Sequence, residues 1–227
     1  MIRGRVAVVA TLLLGCSWGL LPARAAPSEP IPGERTAQPS DFWKRPTANQ
    51  RLAERKLQDA LRLLRFALDP LSSRLRVARP RVLIQARRQL AALTRAFPKN
   101  ARFWYWRGYA AHLVRDETTT LRAWMKVWTL DKHHWGIPDM AFSLGVILAK
   151  RGRYAESVRI YQYGMPRSAR LSTRGIMASN CAESAMATGA LTLAIRLYRQ
   201  SLRLRPRNNS AAWWGLMVAL DRRGLTW

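Results

Sequence analysis

Few residues in this 227-residue chain could do chemistry. His133 and His134 adjoin Asp131, with Asp139 nearby, and could be imagined around a metal ion. Adjacent residues on a helix or turn point in different directions, so one ion rarely recruits both. Neither His-x3-His nor Cys-x2-Cys spacing occurs. The segment therefore reads as an ordinary turn between helices, and no metal or cofactor is expected. Cys16 and Cys181 lie in very different contexts and make no disulfide framework. Cys181 follows the apolar Leu144 by 37 residues, a spacing that recurs below, and reads as a buried small hydrophobe rather than a nucleophile. His112 has the chemistry of a general base, but no nucleophile or carboxylate lies at a telling spacing. A hydrolytic enzyme ranks third among the readings, and the chain is read as non-enzymatic.

Charge is the stronger signal. Lys and Arg number 39 against 13 Asp and Glu, a formal net charge of +26. That excess is either a solvated arginine-rich surface or the mark of an anionic partner. Arg87, Arg88 and Arg95, then Arg196, Arg199, Arg203, Arg205 and Arg207, carry much of it at helical spacing.

The elements that must position these residues are helices, with no strand signal anywhere. In Pro138–Tyr161, Pro138 opens a helix on which Ala141, Leu144, Gly145 and Leu148 recur at helical spacing. Gly152 breaks the pattern, and Tyr154, Ser157, Val158 and Tyr161 begin a second face. The small Gly145 should let the first helix approach Ser157 on the second, with Tyr161 filling the space beside them. The unit repeats. Trp104, Ala141 and Ala178 lie 37 residues apart, as do Gly108, Gly145 and Ala182. Thr120, Ser157 and Ala194 keep the interval, and so do Trp124, Tyr161 and Tyr198. Earlier, Thr47-x2-Gln50 reads as a capping box. It is followed by an apolar stripe from Ala53 to Leu68, and Pro80 opens a further helix that Pro98 stops.

Ala141-x2-Leu144-Gly145-x2-Leu148, Gly152 and Ser157-x3-Tyr161 resemble a tetratricopeptide (TPR) unit, and three concordant units extend the resemblance over residues 101–224. A period of about 34 is usual for that family, so three residues per unit are surplus. They sit around Trp135-Gly136-Ile137 and Leu171 to Arg174, where longer turns or longer second helices would absorb them. A Sel1-like repeat is the alternative subtype. The resemblance implies an all-α, right-handed α-solenoid of antiparallel helix pairs, about three to four units closed by a terminal capping helix that begins at Ala212. Trp104, Gly108, Trp124, Leu144, Gly145, Ser157, Tyr161, Ala182, Ala194 and Tyr198 would form the repeat core.

In such arrays the first helices line a concave groove. Carried over by position, the resemblance places Arg102, Tyr105, Tyr109 and His112 there, then Phe142 and Lys150, with Trp214 on the last helix. That set is aromatic and apolar with scattered charges. It departs from the Lys/Asn/Arg set by which some TPR domains hold a peptide carboxylate, and implies an amphipathic helix or extended apolar peptide as partner. Arg196, Arg199 and Arg203 would lie on the opposite side, suited to an anionic lipid surface or acidic polysaccharide.

The amino terminus reads as an export signal over residues 1–25. Arg3 and Arg5 precede an apolar run to Leu21, and Ala23-Arg24-Ala25 offers a cleavage site. Its cleavage removes three arginines and leaves a charge of +23. Leu13-Leu14-Gly15-Cys16 competes as a lipidation site at Cys16, which would add membrane association; an uncleaved anchor is a third alternative. Residues 26–46 read as a Pro-rich linker, residues 47–98 as a degenerate helical pair and residues 99–227 as the regular array. The expectation is an exported adaptor holding a peptide or protein partner in a cell-envelope assembly of the periplasm. A basic module for an acidic polymer or membrane is the alternative, and export argues against nucleic acid.

Overall fold

The computed structural model describes residues 46–68, 78–207 and 209–225, all within the unit spanning Ile31–Trp227. The export segment, Cys16 and nearly all of the linker lie outside the described residues. Among those described there is no strand. Helices α1 (Ala48–Leu68) and α2 (Ala78–Ala96) form a first pair. α3 (Ala101–Leu113) pairs with α4 (Glu117–Leu130), α5 (Ile137–Lys150) with α6 (Tyr154–Gly164), and α7 (Leu171–Ala187) with α8 (Leu191–Leu204). α9 (Ser210–Arg222) follows, packed on α8 and α7. This is an all-α solenoid of helix pairs.

Local chemistry sets each boundary. The capping box forms as its sequence implies. The Thr47 N–H donates to Gln50 Oε1 at 2.7 Å, and the Gln50 N–H donates to Thr47 Oγ1 at 3.3 Å. Asn100 Oδ1 accepts the Arg102 and Phe103 N–H groups at the start of α3, and Asp116 Oδ1 accepts that of Thr119 in α4. The first helices α5, α7 and α9 end in one motif, with Gly152, Gly189 and Gly224 at φ of +72°, +77° and +68°. The next residue's N–H then returns to a carbonyl five residues back (Arg153 to Leu148, Ala190 to Ala185, Leu225 to Leu220). α3 ends the same way, but Arg115 stands at the left-handed position with φ 58°. A side chain there costs about 1 kcal/mol. Arg115→Gly is therefore expected to raise stability by up to about 1 kcal/mol in urea unfolding; an unchanged or lower midpoint would contradict that.

The core is a row of aromatic wedges set against glycines. A Cβ on Gly108 would fall inside the Trp124 ring, one on Gly145 inside Tyr161, and one on Gly215 inside Tyr198. Trp124 adds a hydrogen bond from Nε1 to the Tyr105 carbonyl at 3.1 Å. Ser157 Oγ donates to the Gly145 carbonyl at 2.9 Å and meets Ser184 Oγ at 3.1 Å, so the hydroxyl that ties α5 to α6 also reaches α7. Gly108, Trp124, Leu144, Gly145, Ser157, Tyr161, Ala182, Ala194 and Tyr198 are all buried. Trp104 is only half-buried: its Nε1 donates to the Pro98 carbonyl and Arg107 lies over its ring at 5.2 Å, so it covers the α2–α3 turn.

The surplus residues are absorbed differently at the two junctions. Between α4 and α5 they form the turn of residues 131–136, which inserts Trp135 beside Tyr105 and Trp106. Between α6 and α7 a 3-10 turn, Met165–Arg167, is followed by a first helix that starts early, at Leu171. That is a longer first helix, where a longer turn or second helix was expected. The terminal helix also differs from a simple cap. Ala212, Gly215, Leu216, Ala219 and Leu220 are buried against the array, but Trp213, Trp214 and Met217 face solvent, the two tryptophans at 52% and 56% exposure.

Candidate functional site

The face built from α3 and α5 is where most of the groove residues were expected, and the structure divides them. Tyr109 and Phe142 are half-buried and His112 is exposed, so these three can meet a partner. Tyr105 cannot. It is 1% exposed, enclosed by Trp106, Tyr109, His134 and Trp135 at ring-centroid distances of 5.1, 6.5, 5.3 and 4.7 Å. A Cβ on Gly136 would enter its ring, so the Trp135-Gly136 turn lies directly on it. Arg102 is also buried, its Nη1 donating to Glu54 Oε1 of α1 at 2.8 Å. It joins the first pair to the second rather than lining a groove. Lys150 is exposed and ion-paired with Glu117 at 3.1 Å. Trp214 is exposed on α9.

Two groups missed by the sequence complete this face. Trp106 is as buried as Tyr105 and packs at 5.9 Å against Trp135. Trp135, half-buried, carries the aromatic surface outward. The one available signal was the position of Trp135-Gly136 among the surplus residues. Asp139 stands at the start of α5 beside these rings, its carboxyl raised by partial desolvation with Arg170 opposing. Desolvation also raises Tyr109, with Asp139 adding to it. Glu183 of α7 is raised by desolvation as well. The half-buried rings of Tyr109, Phe142 and Trp135 give this face its apolar contact surface.

His134 is buried, and its Nδ1 accepts the Gly136 N–H at 3.1 Å while His133 is exposed beside Tyr163 Oη. The adjacent imidazoles thus serve different surroundings. Cys181 is fully buried, its thiol pushed up to about 12 by desolvation, where it is neutral and unreactive. His112 Nε2 lies 3.4 Å from Ser143 Oγ, and the ring tilts over Trp124 at 5.4 Å. A nucleophile and base are thus adjacent, but Glu117, the acid that acts on His112 electrostatically, is bonded to Lys150. No carboxylate among the described residues orients the imidazole as a hydrolase would need.

Burial also gives the fold a pH dependence. His134 has its pKa pushed down to about 4, by desolvation first and by nearby Arg102, with Asp131 opposing. The unfolded imidazole titrates near 6.5. Between those values the unfolded chain binds more protons, so stability falls as pH falls. The loss from this group is expected to be roughly 2 kcal/mol between pH 7 and pH 5. Urea unfolding of the parent and of His134→Phe at both pH values isolates it: the variant should lose that much less, and parallel pH profiles would refute the assignment.

A tetratricopeptide-repeat family model matches residues 85–117, which span the end of α2, all of α3 and the first residue of α4. The match thus reaches into the pair that looked degenerate in sequence. Solved structures agree on the fold. The MamA RS-1 ArsTM double mutant is 16% identical with a TM-score of 0.53, over 73% of this chain and 85% of its own. MamA 41-end from Desulfovibrio magneticus RS-1 is also 16% identical, at 0.52 over 73% and 86%. YrrB, titled a TPR protein with an unusual peptide-binding site, is 15% identical, at 0.56 over 78% and 84%. No curated protein matches the chain in sequence. Residues 85–117 thus carry a tetratricopeptide-repeat match, and the helix-pair solenoid around them has the fold of these solved structures.

Proposed function

We propose that this protein is an exported TPR scaffold that holds a peptide or protein partner in an assembly of the cell envelope. The observation that carries the binding half is the accessible aromatic surface of Tyr109, Phe142 and Trp135 on the α3–α5 face, next to His112. Rings that are half-buried before binding lose little side-chain freedom on contact, and aromatic anchors dominate many interfaces. YrrB, with its peptide-binding site, lends the same reading to this fold. The protein works without a cofactor or catalysis of its own. The export half rests on Arg3, Arg5, the apolar run to Leu21 and Ala23-Arg24-Ala25.

A second reading, an acidic polymer or anionic membrane as partner, draws on one specific observation. Arg196, Arg199 and Arg203 are exposed on α8 at i, i+3 and i+7, and none makes an ion pair among the described residues. Affinity capture from an envelope extract at low and high salt separates the two. A scaffold contact persists at high salt, whereas a charge-driven one washes away. Mass spectrometry of the mature chain checks export. It should begin at Ala26 without lipid, and a diacylated Cys16 would make this a lipoprotein.

A further inference from the structure

Away from the α3–α5 face, a cleft of about 530 Å³ opens between α4 and the α5–α6 turn. Its lining comes from α4 and from the turn that joins α5 to α6. At the far end of the helices the edge-on pair Trp128–Tyr163 closes the gap at 4.9 Å. At the near end Arg151 Nη2 donates to Thr118 Oγ1 at 3.1 Å.

The lining is one-sided in charge. Leu121 and Met125 give an apolar floor, Arg122 and Lys126 stand one turn apart on the α4 rim, and Arg151 and Arg153 face them from the turn. No carboxylate lines it. Arg153 is held by Glu156 through hydrogen bonds of 2.6 and 2.7 Å, so it has little left to give. Arg151 uses one donor on Thr118 and keeps the rest of its guanidinium. Arg122 and Lys126 have no ion-pair partner among the described residues. The surroundings add to the imbalance. Arg122, Arg95 and Arg87 crowd Arg107, whose pKa is lowered by burial first and then by these three, with only Asp116 opposing.

The geometry points to a binding site for a single phosphate-bearing amphiphile, the headgroup and first methylenes of an anionic lipid, between α4 and the α5–α6 turn. Guanidinium and ammonium donors on facing walls match the oxygens of one phosphate. The cleft is shallow and open to solvent, with room for a headgroup and the first methylenes while the rest of a lipid stays outside. The Leu121–Met125 floor distinguishes an amphiphile from a bare ion, which would leave that apolar surface wet.

Isothermal titration of the full chain tests this with water-soluble dihexanoyl-phosphatidylglycerol below its micelle concentration. Glycerol phosphate, dihexanoyl-phosphatidylcholine and a polyglutamate peptide serve as comparisons. The phosphatidylglycerol should bind, and the other three should each bind about tenfold more weakly, the equivalent of one charge-assisted contact. Arg122→Gln with Lys126→Gln should cost about tenfold, and Arg151→Gln should cost in the same direction. Arg196→Gln with Arg199→Gln removes equal charge from α8 and should change the affinity less than about twofold. Met125→Gln should weaken the lipid and leave glycerol phosphate unchanged. These positions are exposed or half-buried, so the variants should keep the parent's thermal melt. Any one of four results overturns the proposal: no binding of phosphatidylglycerol, equal loss in both charge pairs, glycerol phosphate matching the lipid, or the acidic peptide binding more tightly than it.

Discussion

Gly145→Leu is expected to unfold about 3 kcal/mol more easily than the parent, the upper end of what overpacking a core costs. The first carbon of the new side chain would already lie inside the Tyr161 ring. Tyr161 is fully buried, so its ring has no free space to enter. The helices cannot separate cheaply either, because Ser157 Oγ is bonded to the carbonyl of Gly145 itself and to Ser184 of the next unit. Relief at one contact therefore breaks another, a hydrogen bond contributing about 1 kcal/mol. Thermal and urea melts of both proteins measure the effect. Gly152→Ala is the comparison, since it meets no atom but occupies the left-handed region, and should cost only about 1 kcal/mol. An unchanged melt for Gly145→Leu would show that the α5–α6 pair is not held by this wedge.

Features written in one short stretch were legible before the structure. Thr47 and Gln50 cap each other, Ser157 touches Gly145, and the buried set recurs at the interval read from Gly108, Gly145 and Ala182. Each depends on neighbours in one helix or one helix pair, where spacing decides contact. What was not legible depends on partners far along the chain. Arg102 looks like a groove residue until Glu54, 48 positions earlier, draws it inward. Tyr105 occupies the right repeat position for the groove. A regular turn would have left it open, but the turn with three extra residues lays Gly136 and Trp135 over it. The family pattern was sound there and the departure from it decided the outcome. The cleft beside α4 is hidden for a similar reason: Arg122 and Arg151 belong to different helix pairs and line one cleft only in the folded chain.

Burial of Tyr105 changes which substitution tests the scaffold reading. Tyr105→Ala would open a cavity among four rings and cost about 3–5 kcal/mol of stability, so lost binding would say nothing about a groove. Tyr109→Ala with Phe142→Ala removes rings that are only half-buried and should leave the array folded. With each anchor contributing about 2 kcal/mol, the pair is expected to weaken the partner captured from the envelope by several hundredfold. His112→Ala adds a gradation, because its ring touches Trp124 and Ser143 at the edge of the same face. The competing reading predicts the reverse. If exposed Arg196, Arg199 and Arg203 hold an anionic surface, their joint change to Gln should abolish capture, raised salt should mimic it, and the aromatic pair should matter little. Titration of the purified partner against both variants gives the decision. Retained affinity in the Tyr109/Phe142 variant with loss in the arginine variant would sink the scaffold reading and leave the membrane or polymer in its place.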